Sequence, residues 1–123
     1  MFRSAFALLL LTALAAPLPV AAAPEKRIWR VDSVVATRDR GSVRVEVKGA
    51  VQSGGWSHAR LRLSRGEPHA LVVEFLAQPP SPGAVVIDAL LPVTAKLTIR
   101  DTHGAVAVKA LGQANEVTAQ ILH

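Results

Sequence analysis

Cysteine is absent from the 123-residue chain. Without it the protein has no disulfide, no thiolate nucleophile, no cysteine-based metal cluster and no cysteine that could accept a lipid after export. Methionine occurs once, at Met1, so loss of the leader described below also excludes a methionine-rich site for reduced copper. The mature fold must therefore rest on its hydrophobic core alone.

The beginning of the chain, residues 1–22, has the composition of a cleaved signal peptide. A basic start is followed by an apolar run over residues 5–16 and then by small residues as far as Ala23, which predicts cleavage after Ala22. The apolar run is shorter than the roughly 20 residues that a permanent membrane helix needs, and no later segment reaches that length. We therefore expect a periplasmic or secreted protein whose single mature domain covers residues 23–123.

Acidic residues are fewer than basic ones, with 9 Asp and Glu against 14 Lys and Arg. Loss of Arg3 with the leader reduces the excess from five positive charges to four. These charges are spread along predicted strand faces, and an exported protein seldom meets nucleic acid, so nucleic acid is not an expected partner. We expect an envelope protein or an anionic surface polymer instead, and phospholipid headgroups would attract the same positive charge nonspecifically.

Helical periodicity is not sustained anywhere in the mature chain, whereas alternation with a period of two recurs between turn-forming segments. The clearest case places valine and glycine on one face and charged residues on the other, namely Val43, Val45, Val47, Gly49 and Val51 against Arg44, Glu46 and Lys48. Similar short segments are predicted as strands over residues 29–35, 61–63, 71–77, 85–89, 91–99, 106–108 and 117–121. This pattern predicts an all-β fold, with an immunoglobulin-like β-sandwich of seven or eight antiparallel strands favoured over a small β-barrel.

Proline interrupts the alternation in two places. Residues 78–83, Gln-Pro-Pro-Ser-Pro-Gly, end the strand predicted before them, because their three prolines cannot donate to a β-ladder. We expect this segment to cross between two sheets, which also favours a sandwich over a barrel built from tight hairpins. For the same reason Pro92 is expected at an edge or a bend.

A glycine pair and a tryptophan, Gly54-Gly55-Trp56, form the least ordinary stretch of the chain. Glycine can adopt the positive φ that a corner needs, and a glycine pair commonly marks a kink in a strand. Trp56 has the wrong parity for the buried face on which Leu61 and Leu63 are predicted. Either its ring lies on the charged face, or a bulge between Trp56 and Leu61 resets the register.

Trp56 therefore has two interpretations. The favoured one makes the ring a plug at one end of the core, because large apolar side chains are usually buried. The other makes it a half-exposed anchor for a partner, beside His58 and Arg60, which share its parity. On the second interpretation Gly54, Gly55, Trp56, His58 and Arg60 form a candidate interaction corner.

Three segments that together span most of the mature domain are Gly54-Gly-Trp-Ser-His-Ala-Arg-Leu61, Phe75-Leu-Ala-Gln-Pro-Pro80 and Ala89-Leu-Leu-Pro-Val-Thr-Ala95. They resemble a group of short exported bacterial β-sandwich proteins of no established function. The resemblance implies a shared β fold and a common use of the glycine-tryptophan corner. It carries over no catalytic residue and no ligand.

No catalytic constellation can be assembled from the polar residues. The acidic residues of the predicted strands all fall on exposed faces between apolar neighbours, namely Asp32, Glu46, Glu74 and Asp88. Ser57 and His58 are adjacent on a strand and are expected to point to opposite faces, which argues against a nucleophile and its base. We therefore predict that the protein is not an enzyme.

Metal and cofactor binding have no sequence signature either. The four histidines, His58, His69, His103 and His123, lack the close spacing of metal ligands, so neither a metal site nor a cofactor is predicted. The function that these patterns favour is a non-enzymatic exported interaction module of the bacterial envelope. The alternative is a periplasmic carrier or sensor of a small ligand or metal ion, whose site the fold would have to assemble.

Overall fold

The computed structural model describes residues 24–64 and 67–123, so the predicted leader, residues 1–22, lies outside the described residues. The described chain forms eight strands and no helix. The strands are β1 Lys26–Arg27, β2 Arg30–Asp39, β3 Ser42–Val51, β4 Ser57–Leu63, β5 Ala70–Gln78, β6 Leu91–Arg100, β7 Ala107–Leu111 and β8 Glu116–Leu122. The predicted all-β class is confirmed.

The strands form one curled, mixed sheet with the shape of a half-barrel. Hydrogen-bonded neighbours follow the order β1-β5-β7-β8-β2-β3-β6, and β4 also pairs with β5. The β5–β7 and β2–β8 pairs are parallel, whereas the other pairs are antiparallel. The prediction that every strand is antiparallel is therefore wrong, and the immunoglobulin-like sandwich is not confirmed. Alternation along a strand determines which side chains point inward, but not which strand lies beside it or in which direction that strand runs.

The inner face of the curled sheet carries the core, and β3 shows this most clearly. Val43, Val45 and Val47 are buried, while the charged side chains between them lie on the opposite face, as the alternation predicted. β5 adds Phe75 and β6 adds Ile99 to the same hydrophobic cluster. The inward faces of strands that are distant in sequence therefore share one core.

A bulge in β2 changes which of its side chains reach that core. The register between β2 and β3 shifts between Val31 and Ser33. At this point the Asn115 side chain makes both hydrogen bonds of the Val31 backbone. Its Oδ1 accepts from the Val31 amide at 2.8 Å, and its Nδ2 donates to the Val31 carbonyl at 2.9 Å. Beyond the bulge Val34 is buried and Val35 is 50% exposed. Unbroken alternation over the strand predicted at residues 29–35 would place Val31, Ser33 and Val35 on one face. The structure shows otherwise, since a bulge inverts the alternation that follows it.

The segment between β5 and β6 is an exposed loop, and the strand predicted over residues 85–89 is not formed. β5 and β6 lie near opposite ends of the strand order, so the loop joins two distant parts of one sheet. The prediction that it crosses between two sheets is not confirmed. Pro92 lies in β6, the last strand of that order, where an edge tolerates a residue that cannot donate.

β4 buries only one of the two leucines predicted to face the core. Leu61 is 4% exposed and Leu63 is 48% exposed. Among the described residues β4 pairs with β5 alone, so its other side is an edge. Parity predicts the face of a side chain, but it does not predict what covers that face.

An ion pair closes the turn that follows β6. Asp101 is buried and accepts a hydrogen bond from the Arg38 guanidinium at 2.7 Å. It also accepts from the backbone amides of His103 and Ala105, and such bonds from an aspartate side chain to the following backbone stabilise a turn. The Arg38 hydrogen bond lowers the pKa of Asp101, against the opposing effect of its burial.

Candidate functional site

Two connections meet at one end of the half-barrel. The last residue of β3 pairs with the first of β6, and the first residue of β4 pairs with the last of β5. The chain between β3 and β4, residues 52–56, and the chain between β5 and β6, residues 79–90, therefore lie at the same end of the sheet. We call this surface, formed by residues 52–56 and 79–90, the crossover end.

The glycine pair is where the two connections touch. The Gly54 amide donates a hydrogen bond to the Ile87 carbonyl at 2.9 Å. Gly55 has a φ of +89°, and a Cβ at this position would lie 2.8 Å from Pro80 Cβ and 2.9 Å from Val86 Cγ1. The corner therefore needs glycine for two reasons, a backbone conformation that L side chains rarely adopt and the close approach of the proline-rich loop.

Trp56 is partly buried and packs against the hydrophobic core. The register between β4 and β5 shifts between Ser57 and Arg60, and His58 has a positive φ of 56°. Of the two alternatives predicted for the register, the bulge is therefore confirmed. The Trp56 ring is only in part the core plug that the sequence favoured, because the rest of its surface reaches solvent.

Ser57 and His58 are brought together by this bulge. His58 Nδ1 lies 3.1 Å from Ser57 Oγ, and both residues are exposed. The expectation that they point to opposite faces is wrong, because the positive φ at His58 breaks the strict alternation of the strand. No carboxylate is hydrogen-bonded to His58 in the described part of the chain, and such a group orients the base in a catalytic triad.

Arg60 is engaged within the chain. Its Nε donates a hydrogen bond to Glu25 Oε2 at 2.6 Å, and its Nη2 donates to Glu25 Oε1. This two-point contact lowers the pKa of the Glu25 carboxyl. Arg27 and Arg62 similarly donate to Glu74, the outward acid of β5. These ion pairs hold the start of the domain against β4 and β5, so Arg60 positions this segment.

The loop of the crossover end exposes aliphatic side chains. Val85 is fully exposed, Ile87 is 64% exposed and Leu90 is 56% exposed, while Val86 is 37% exposed beside Gly55. The exposure of this group was not predicted, because the alternation of residues 85–89 indicated a strand with a buried face. The prolines on both sides of residues 85–89 were the signal available, since they leave this short segment no room in a ladder.

The end of the sheet opposite the crossover end carries two of the four histidines. His69 and His103 line one open cavity together with Glu67 and Asp101. Asp101 already accepts hydrogen bonds from Arg38 and from two backbone amides. Within residues 24–64 and 67–123, no group of three or more His, Cys, Asp or Glu side chains is arranged to hold a metal ion. The same described residues include no helix that is long and apolar enough to cross a membrane.

Comparison with known proteins found no family model, no curated protein and no solved structure that matches the chain. The candidate site is therefore defined by its own geometry. That geometry is an apolar, proline-rich loop held against a glycine corner, with a half-buried tryptophan beside it.

Proposed function

We propose that the protein is a non-enzymatic interaction module of the bacterial envelope, exported by its leader and present in the periplasm or outside the cell. Its binding surface is the crossover end. The resemblance to short exported bacterial proteins and the composition of residues 1–22 support export. The observation that carries the binding role is the exposure of four aliphatic side chains on one loop: Val85, Val86, Ile87 and Leu90.

Single exposed aliphatic residues are ordinary on protein surfaces, but a contiguous group of them marks a site of interaction. The four side chains fall within residues 85–90, in a loop whose backbone is hydrogen-bonded to the Gly54 amide at Ile87. Gly55 brings the same loop into contact with the corner. A partner therefore meets a loop that is already positioned, which reduces the conformational entropy that binding has to remove.

A photoreactive amino acid at Ile87 tests this proposal in cells that express the full chain with its leader. Val106 is the matched control, because it is 62% exposed against 64% for Ile87 and precedes β7 at the opposite end of the sheet. We expect adducts with an envelope component from the Ile87 position and none from Val106. Equal adduct formation at both positions, or none at either, would show that the crossover end is not the binding surface.

Export is tested separately by N-terminal sequencing of protein recovered from the envelope. A sequence that begins at Ala23 is expected. An intact Met1 on protein from the cytoplasm would contradict the proposal, whatever the cross-linking result.

A further inference from the structure

We infer that the outer face of β3 and β6 binds a linear polysaccharide whose repeating units carry carboxylates. This face is a second binding surface, made of other residues than the crossover end, and it goes beyond the proposed function. Three features of the face point to such a ligand: the register of the two strands, the cations that lack an ion pair, and an open depression between the same strands.

The register of β3 and β6 arranges four cations in a zigzag. Each cation lies opposite a hydroxyl-bearing or acidic residue and none lies opposite another cation, the pairs being Arg100 with Ser42, Arg44 with Thr98, Lys96 with Glu46 and Lys48 with Thr94. Directly paired residues share a face of the sheet. Successive cations are therefore about 7 Å apart along the strands and alternate between strands about 4.8 Å apart. We call Lys48, Lys96, Arg44 and Arg100 the cation row, which is about 20 Å long.

Most Lys and Arg side chains have a carboxylate partner, and the exceptions are concentrated at this face. In the part of the chain that the structure describes, the cations without an ion pair are Lys26, Arg40, Lys48 and Arg100. Lys48 and Arg100 belong to the cation row, and Arg40 is exposed in the turn before β3. The positive charge that the fold leaves without a partner is therefore located mainly at one surface.

The other two members of the cation row have only exposed partners. Arg44 lies 3.3 Å from Asp39, and Lys96 lies 3.8 Å from Glu46. The side chains of Arg44 and Lys96 are 71% and 75% exposed. Ion pairs in such positions contribute little to stability, so both cations can exchange their partners for the carboxylates of a ligand.

An open depression of about 260 Å³ lies on the same face. The outward side chains that line it are Val35, Thr37, Arg44, Glu46, Lys96 and Thr98. Pockets that enclose a whole small molecule usually measure about 300–1,000 Å³, so this open depression suits one unit of a longer chain. The hydroxyls of Thr37 and Thr98 can both donate and accept hydrogen bonds, which matches the hydroxyl groups of a sugar.

The composition of the face favours a polysaccharide over other polyanions. β3 and β6 contain no aromatic residue on which the bases of a nucleic acid could stack. The outward side chains of β6 from Thr94 to Arg100 are all polar and exposed, so the face offers little to an apolar partner. A linear polymer meets the members of the cation row in succession, and several weak contacts to one chain add up to a higher affinity.

The test uses protein recovered after export from cells that express the full chain, titrated with polygalacturonate by isothermal titration calorimetry at low ionic strength. Dextran of matched length is the uncharged control polymer, and no binding to it is expected. Lys48→Gln combined with Arg100→Gln should weaken binding of polygalacturonate about tenfold, because two charge contacts are lost. Sodium chloride should weaken binding to the parent protein, since salt screens exposed charges.

Two further variants separate a binding face from a simple effect of net charge. Lys26→Gln combined with Arg27→Gln removes the same charge from β1, at the other end of the strand order, and should change the affinity by less than about twofold. Glu46→Gln should raise the affinity about threefold, because it removes the acid that lies within the cation row beside Lys96. Thermal melts of all variants verify that they are folded.

Equal weakening by the two double substitutions would overturn the inference, because binding would then follow net charge alone. Absence of binding to polygalacturonate would overturn it as well. Equally tight binding of single-stranded DNA or of polyglutamate would show that the face does not select a polysaccharide. If Ile87 cross-links an envelope component in cells while polygalacturonate does not bind, the proposed function stands and the second surface is refuted.

Discussion

The substitution Gly55→Ala tests directly how the crossover end is built. Gly55 has a φ of +89°, a conformation that costs an L residue about 1–2 kcal/mol. The new Cβ would also lie 2.8 Å from Pro80 Cβ and 2.9 Å from Val86 Cγ1, so the loop must move, and overpacking of this kind costs about 1–3 kcal/mol. The two effects together predict a loss of about 3 kcal/mol in the free energy of unfolding.

Gly54→Ala is the matched control at the neighbouring position. Gly54 has no positive φ in the range that excludes side chains. Its added Cβ would make one tight contact, with Ile87 Cγ1 at 3.1 Å, and otherwise ordinary contacts with Ile87 at 3.8 Å. We therefore expect its free energy of unfolding to change by less than about 1 kcal/mol. In thermal unfolding followed by circular dichroism, Gly55→Ala should lower Tm by about 12–24 °C for a domain of this size. Equal Tm values for the two variants would refute the proposed role of Gly55.

Three further outcomes are expected. Gly49→Ala should prevent stable folding, because its Cβ would lie 2.0 Å from the Arg30 carbonyl oxygen. Neither backbone can move away without opening the sheet. A solubility assay and a thermal melt measure this outcome. Asp101→Asn should destabilise the protein by about 3 kcal/mol at neutral pH, since it leaves the Arg38 guanidinium without its carboxylate. Because the pKa of Asp101 is depressed below its ordinary value of 3.8, the stability it contributes is present above that value and is lost as the pH falls through the lower folded pKa. The difference between wild type and Asp101→Asn in urea melts should therefore shrink below about pH 4, and a constant difference would contradict this role. Trp56→Ala should cost about 2 kcal/mol in the same melts, less than for a fully buried ring, and no change would show that the ring does not pack on the core.

In the crossover end, the loop that packs on Gly55 is also the loop that carries the exposed aliphatic side chains. Glycine at position 55 permits the close approach of Pro80 and Val86, and the same loop carries the exposed side chains of Val85, Ile87 and Leu90. A variant that displaces the loop should therefore lower stability and alter binding together. Substitution of the exposed side chains of Val85 and Ile87 should change the binding of a partner and leave the free energy of unfolding unchanged, because those side chains do not belong to the core.

The sequence by itself determined the features that depend on one strand at a time. Alternation in residues 43–51 predicted which side chains of β3 face the core, because successive side chains of a strand point to opposite faces. The edge position of Pro92 followed from its missing backbone donor. The glycine pair marked the corner for an equally local reason, the positive φ of Gly55.

Only the tertiary structure decided the features that depend on distant partners. The bulge at Val31 is held by Asn115, 84 positions later in the chain, and no pattern near Val31 contains that contact. The parallel pairs and the ion pair between Glu25 and Arg60 likewise join residues whose proximity is set by the path of the whole chain. Residues 85–89 alternate as a strand would, but the fold provides them no neighbouring strand and no covering layer. Alternation is a property of one segment, whereas pairing and burial are properties of the segments that surround it.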